Sequence, residues 1–228
     1  MKTLALIPAR GGSKRLPGKN LRPLAGRPLI HYSIIIAQMA GLKDIYVTTD
    51  DEQIAQTSQQ AGARTIMRPA ELADDHAKTV DAIKHAVDTL KAGGETFDAI
   101  MTLQPTNPLR TVAMLQKSME IFETSGADSL LTVSQCHHKL GKLLNGSYQP
   151  VFYKIGDRSQ DIEPIYYENG LIYITSPTLL EKNILISKQN QTYITDEPFG
   201  AIDIDTAEDF AFAEMVYERY KSTLTFEV

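Results

Sequence analysis

Apolar residues in this chain fall into short runs separated by longer stretches with helical spacing. Residues 4–9 form a continuous apolar run, as in a strand buried on both faces. Residues 29–40 follow, with Ile30, Ile34 and Ala37 at helical spacing. The β-branched run 45–49 predicts a second strand. Asp50-Asp51 then predicts the start of a helix running to about Ala61 and closed by Gly62. The same alternation predicts a helix at 79–91 ended by Gly93-Gly94, a strand at 99–103, a helix at 112–124 ended by Gly126, and a strand at 129–133. The rhythm breaks over 135–165, a polar stretch with Asn145-Gly146 as a hairpin turn. It resumes with strands at 170–175 and 201–204 and a final helix at about 206–221. In that helix Phe210, Ala213, Tyr217 and Tyr220 form a stripe opposite Glu214, Glu218 and Arg219.

Strands alternating with helices predict an α/β fold, a mostly parallel twisted sheet flanked by helices. Residues 1–228 read as one domain, with about 135–165 as a protruding arm or insertion. Ligands of such sheets bind outside the C-terminal strand ends, so the loops after Ala9, Thr49 and Leu103 are expected to line the site.

Composition narrows the partners. The net charge is -5 and there is no basic tail, which argues against nucleic acid. Positive charge gathers instead at Arg10, Lys14, Arg15, Lys19, Arg22 and Arg27, a pattern suited to a small anionic ligand. One cysteine, Cys136, excludes a disulfide within the chain. With no visible signal segment and no long apolar span, the expectation is a soluble cytoplasmic protein without a membrane partner.

The candidate chemistry starts in the loop after the first strand, which holds Gly11, Gly12 and Gly18 among Arg10, Lys14, Arg15 and Lys19. Glycines admit an anion close to the backbone and the cations neutralise it, so a polyphosphate is the expected guest. The loop is not a Walker A sequence: the spacing from Gly12 to Gly18 is one residue too long, and Asn20 follows Lys19. Near the other end, Asp203 and Asp205 stand two apart at a predicted strand end and so face one way. Two converging carboxylates suit magnesium. Asp205 also reads as the N-cap of the last helix with Glu208 as its capping-box partner, and the two roles are compatible. Cys136-His137-His138 carries no zinc expectation, because adjacent histidines point apart and no second cluster completes the ligand set.

Behind the N-terminal loop stand R-P-A-E-L-A-D-D at 68–75, L-Q-P-T-N-P-L-R at 103–110, Y-E-N-G-L-I-Y-I at 167–174 and I-D-I-D-T at 202–206. Together, in this order, they resemble the acylneuraminate cytidylyltransferase (CMP-nonulosonate synthetase) family from residue 4 to about 214. The resemblance implies a nucleotide-diphospho-sugar transferase fold with a small dimerisation arm. It implies transfer of CMP from CTP to the anomeric hydroxyl of a nonulosonic acid, with pyrophosphate leaving. The implied nucleotide contacts are Ala9, Arg10, Gly11, Gly12, Ser13, Lys19, Asn20, Arg68 and Thr79, with Arg68 reading cytosine. Read by itself, Arg68 is better explained as packing a helix start capped by Asp74 or Asp75. The implied sugar contacts are Gln104, Lys142, Arg158, Asn169 and Tyr173. Magnesium falls to Asp203 and Asp205, and catalysis to Arg10, Lys19 and Asp205. The general base stays open between a metal-bound route and Asp205 itself.

The chain departs from the family pattern at Asn107, where Ser is common, at Leu171, where Ala is common, and at Lys139, where Pro is frequent. The last leaves the register around Lys142 open. The expected partners are CTP, a nonulosonic acid and a second copy of the chain. Alternative readings are transfer to 3-deoxy-manno-octulosonate, another sugar nucleotidyltransferase using a base such as uracil, or a non-catalytic nucleotide sensor. The choice among N-acetylneuraminate, legionaminate and pseudaminate rests on a few pocket side chains that the sequence does not single out.

Overall fold

The computed structural model describes residues 1–74, 76–224 and 226. In chain order the elements are β1 (Thr3–Pro8), a small hairpin of β2 (Pro23–Leu24) and β3 (Arg27–Pro28), α1 (Leu29–Met39), β4 (Asp44–Thr49), α2 (Glu52–Gln60) and β5 (Arg64–Met67). Next come α3 (Thr79–Ala92), β6 (Ala99–Thr102), α4 (Val112–Ser125), β7 (Ser129–Cys136), β8 (Gly141–Leu144) and β9 (Ser147–Pro150). The chain continues with β10 (Ile165–Thr175), α5 (Pro177–Glu181), β11 (Gln191–Ile194) and α6 (Ala207–Tyr220).

Seven strands form one sheet in the order β11-β7-β10-β6-β1-β4-β5. All its pairings are parallel except those of β10, which runs antiparallel to both β6 and β7. The predicted α/β class is the observed one. Side chains of β1 alternate between two cores, Ala5 and Ile7 in one and Leu4 and Leu6 in the other. The first core lies under α1, α4 and α6, and the second under α3 and α5. Covering both faces explains why the central strands read as unbroken apolar runs.

Local side-chain caps start two of the helices. Asp51 caps α2 by accepting from the Ile54 amide, and Thr111 caps α4 by accepting from Met114. Asn145 and Gly146 both have positive φ and join β8 to β9 by the expected two-residue turn. This hairpin forms its own two-stranded sheet, and Leu143 in it is largely exposed. Among the described residues no helix is long and apolar enough to cross a membrane.

Two local expectations are corrected. Residues 201–204 are not a strand: a 3-10 turn spans Pro198–Ala201, and an extended but unpaired segment follows. Nor is Asp205 the cap of α6. Thr206 caps it by accepting from the Asp209 amide, and Asp209 answers the Thr206 amide, so the capping box sits one residue later than the Asp205–Glu208 pairing. That shift frees the Asp205 side chain. The sequence pattern also missed β5 and β11, short strands at the two sheet edges whose half-exposed residues carry little apolar signal.

Candidate active site

The sheet order turns at β1. Its neighbours β4 and β6 lie on either side, and their connections leave in opposite directions, which opens a crevice at their C-terminal ends. The strand ladder continues just past those ends. Ala9 donates to Thr48 O at 3.0 Å, Leu103 to Leu6 O at 3.1 Å and Arg68 to Thr49 O at 2.8 Å. Three loops are thereby fixed to the sheet edge, and a cavity of about 370 Å³ lies between them.

The loop after β1 forms one wall. Gly18, at φ 67, starts a short 3-10 turn that carries Lys19 and Asn20 inward, a left-handed position that favours glycine. Asn20 is buried and donates to Arg10 O at 2.9 Å, which holds the loop's two ends together. Lys19 is also buried. Its ammonium donates to Ile204 O at 2.8 Å and to Asp205 Oδ1 at 2.9 Å. Arg15, on the same loop, reaches Asp205 Oδ2 at 2.8 Å. The loop and the carboxylate segment are therefore joined across 185 positions of sequence.

Backbone donors of this loop are less available than a glycine-rich sequence suggests. The Gly11 amide donates to Asp50 Oδ1 at 3.1 Å, and the Ser13 amide to Gly11 O at 3.0 Å. Gly11, and the buried Ala9 beside it, shape the loop and do not line the cavity, and Gly12 is not among the lining residues either. The side chains carry the charge. Among the described residues, Arg10, Lys14, Arg15, Lys19, Arg68 and Lys78 line the cavity, against Asp74, Asp203 and Asp205. Cations outnumber carboxylates two to one, the electrostatics of a polyanion site.

Arg68 enters from the opposite wall. Burial pushes its guanidinium down from the ordinary range, while nearby Asp50 pulls it back up. Among the described residues its Nε is buried without a partner, a costly state for a donor unless a ligand acceptor meets it. Asp74 does not cap α3. Its carboxylate accepts from the amides of His76 and Ala77 instead, and Asp75 lies outside the described residues. The first turn of α3 has no side-chain cap, and Lys78 and Thr79 line the cavity there, adding the positive end of a helix dipole.

Gln104, Thr106, Asp203 and Asp205 complete the lining. Asp203 faces the cavity yet titrates above the usual carboxylate range, first through desolvation and then through the neighbouring Asp205. A hydrogen bond from Thr106 opposes the shift. The two carboxylates do converge on one cavity, though through an irregular segment and not a strand.

The remaining residues implied by the resemblance lie elsewhere. Asn169 is buried, and its side chain is consumed by Thr132, Ser134, Thr195 and the Leu171 amide, so it braces a bulge in β10. Tyr173 bonds Glu168 at 3.3 Å. Its hydroxyl is pushed up to about 12 by burial first, then by Glu168, and it lies outside the cavity lining. Lys142 is exposed on β8, and Arg158 pairs with Asp161 at 2.7 Å. One copy of the chain brings neither into the cavity. Lys78 and Thr106 were not singled out from sequence. Their signals were only a cation just before a helix and a hydroxyl in a proline-framed loop.

A model of the cytidylyltransferase family matches residues 4–225. The chain belongs to the cytidylyltransferase family. It is 36% identical over 236 residues to the CMP-N,N'-diacetyllegionaminic acid synthase of Legionella pneumophila, covering 98% of this chain and 100% of that one. It is 31% identical over 226 residues to the pseudaminic acid cytidylyltransferase of Campylobacter jejuni, covering 96% and 97%. A solved structure of CMP:2-keto-3-deoxy-manno-octonic acid synthetase complexed with CTP shares the fold at a TM-score of 0.72. It is 17% identical, with 96% of this chain and 99% of that one covered. The cytidylyltransferase fold thus explains the sheet order and the position of the crevice.

Proposed function

We propose that this cytidylyltransferase transfers CMP from CTP to the anomeric hydroxyl of a nonulosonic acid and releases pyrophosphate. The observation that carries the proposal is the junction of Lys19 with Asp205 in a cation-rich cavity that also holds Asp203 and the unpartnered Nε of Arg68. The two relatives, whose names specify legionaminic and pseudaminic acids, favour a nonulosonate acceptor. Arg68 offers a planar donor fork to the O2 and N3 acceptors of cytosine. Arg10, Lys14, Arg15 and Lys19 meet the triphosphate, and Gln104 stands on the acceptor side.

Magnesium fits the donor set of Asp203 and Asp205, because hard oxygen ligands hold it in small number beside substrate phosphates. When bound it supplies neutralisation of the triphosphate charge. Lys19, fixed by two hydrogen bonds, adds a preorganised positive charge where negative charge grows on the phosphates. We place the reaction in the cytoplasm and in a homodimer. The largely exposed Leu143 and Ile155 of the arm favour a second copy, which would also give Lys142 and Arg158 a site to serve.

Pyrophosphate release from CTP and Mg²⁺ over a panel of N-acetylneuraminate, legionaminate and pseudaminate tests this reading. Release with one nonulosonate is expected, and none with UTP or with 3-deoxy-manno-octulosonate. Turnover only with the octulosonate, or CTP binding with no turnover at all, would sink it.

Asp203 gives a second test. An acid whose folded pKa is raised binds more protons in the folded than in the unfolded state between the two pKa values. Its stabilising share is present below the ordinary carboxylate pKa and is lost as pH rises through the folded one. Asp203→Asn is therefore expected to raise the Tm of the metal-free protein at pH 7 to 8 while abolishing Mg²⁺-dependent turnover. A lower Tm in EDTA would show that the carboxylate serves the fold.

A further inference from the structure

We propose that Asn107 is a positioning residue for the carboxylate pair, its amide group holding the segment 202–205 against the bulge of β10 so that Asp203 and Asp205 face the cavity together. The proposal rests on the magnesium reading above. Asn107 is almost wholly buried, and its Nδ2 donates both to Asn169 O at 3.0 Å and to Ile202 O at 3.1 Å. The neighbouring residue adds a third tie, because the Ile204 amide donates to Thr106 O at 2.8 Å. Ile202 and Ile204 alternate with Asp203 and Asp205, so gripping the first pair orients the second.

The segment 202–205 belongs to no strand, and these bonds from the β6 loop stand in for a sheet ladder. Thr106 is set by the same amide. Its hydroxyl donates to Asn107 Oδ1 at 3.1 Å and also lies within bonding reach of Asp203. A hydroxyl has one proton, so the amide oxygen competes with the Asp203 carboxylate for it.

The fit is close. Gly170, at φ 74, faces this amide, and a Cβ there would stand 2.8 Å from Asn107 Oδ1. An amide NH₂ has two protons and satisfies two carbonyls at once. A serine hydroxyl satisfies one, and alanine none. The chemistry predicts a graded series.

The test compares wild type, Asn107→Ser and Asn107→Ala. Mn²⁺ binding in the presence of CTP is read by electron paramagnetic resonance, CTP binding in EDTA by calorimetry, and hydrogen exchange over 202–206 in the metal-free protein. Asn107→Ala is expected to weaken metal binding and lower kcat by about tenfold, the usual cost of losing a residue that orients a metal ligand. Asn107→Ser should fall between. Metal-free CTP affinity should stay within about twofold, and exchange over 202–206 should rise while β1 and α6 stay protected. Unchanged metal affinity and exchange would overturn the proposal. So would a parallel loss of metal-free CTP affinity, which would mark a general fold contact. If alanine does not fold, serine carries the same comparison. If wild type itself shows no metal dependence, the functional reading fails, and exchange in the metal-free protein decides the positioning role by itself.

Discussion

Replacing Lys19 with methionine is expected to lower kcat for pyrophosphate release by about 10³ while leaving the fold intact. Removing one preorganised donor from a site of developing charge costs about 10² to 10³ in rate. Lys19 does more than donate. It also holds Asp205 at 2.9 Å and the Ile204 carbonyl at 2.8 Å, so its loss releases the carboxylate segment from the N-terminal loop. Those two effects act on the same phosphates, which places the expected loss at the upper end. Arg15 still reaches Asp205 in the variant, so the carboxylate keeps a cationic neighbour and the metal-free protein should stay folded. Lys19→Arg should not rescue, because a planar guanidinium does not match a buried site shaped for a compact ammonium. Steady-state kinetics at saturating CTP and Mg²⁺ would settle it. A Lys19→Met enzyme with more than about a third of the wild-type rate would mean that the loop is structural.

The second large effect lies in the core. Arg110 is fully buried and has neutral partners in its own loop and in two distant segments. Nε donates to Leu171 O at 2.5 Å, Nη2 to Gln104 O at 2.8 Å and Nη1 to Ser33 Oγ at 3.1 Å. Burial pushes its guanidinium down to about 9, so the group stays charged at neutral pH and its desolvation is met only by these acceptors. Arg110→Met removes the charge but strands two buried acceptors, the Leu171 carbonyl and the Ser33 hydroxyl, each costing about 1–3 kcal/mol, while Gln104 O keeps the Asn107 amide at 3.3 Å. The expected net loss is about 2–4 kcal/mol, which for a chain of this size lowers Tm by roughly 4–16 °C. Arg110→Lys should fall equally, because a point-charge donor cannot reach three acceptors arranged for a fork. Activity should drop further than stability alone explains, because Gln104 O loses the shorter of its two bonds and keeps the Asn107 amide at 3.3 Å. Calorimetric unfolding beside kcat would check both. A Tm within about 2 °C of wild type would refute the bracing role.

Arg110 and Asn107 act on the same structural irregularity. The register of β10 against β7 shifts between Glu168 and Tyr173. The shift takes the carbonyls of Asn169 and Leu171 out of the ladder, and Asn107 and Arg110 satisfy them. The bulge, the β6 loop and the carboxylate segment therefore form one buried polar network. Such networks are stable only when fully satisfied, which is why single losses within it should be felt at the cavity.

Much of this was legible before folding. The unbroken apolar runs at β1 and β6, the helix start at Asp51, and the Asn145-Gly146 turn depend on local chemistry, and the structure follows them. The density of cations beside glycines in the first loop announced a polyanion, and the order of motifs carried the family. The edges of the sheet were not legible, because β5 and β11 are held by ladder bonds and not by apolar patterning. Nor was the true cap of α6, since Asp205–Glu208 and Thr206–Asp209 satisfy the same sequence rule and only the geometry chooses.

What the sequence determined by itself is the α/β class, the crevice after β1 and β6, and the residue types gathered for a nucleotide. These follow from hydrophobic period and charge density, which act over a few neighbouring residues. The tertiary structure decided how those residues are used. It occupies the Gly11 and Ser13 amides within the protein, commits Asn169 to a bulge, leaves Lys142 and Arg158 outside the cavity, and ties Lys19 to Asp205. Apart from the local Ser13–Gly11 bond, each of these depends on a hydrogen bond to a distant segment or on the want of one. No local pattern records which buried donor will find which acceptor across the sheet.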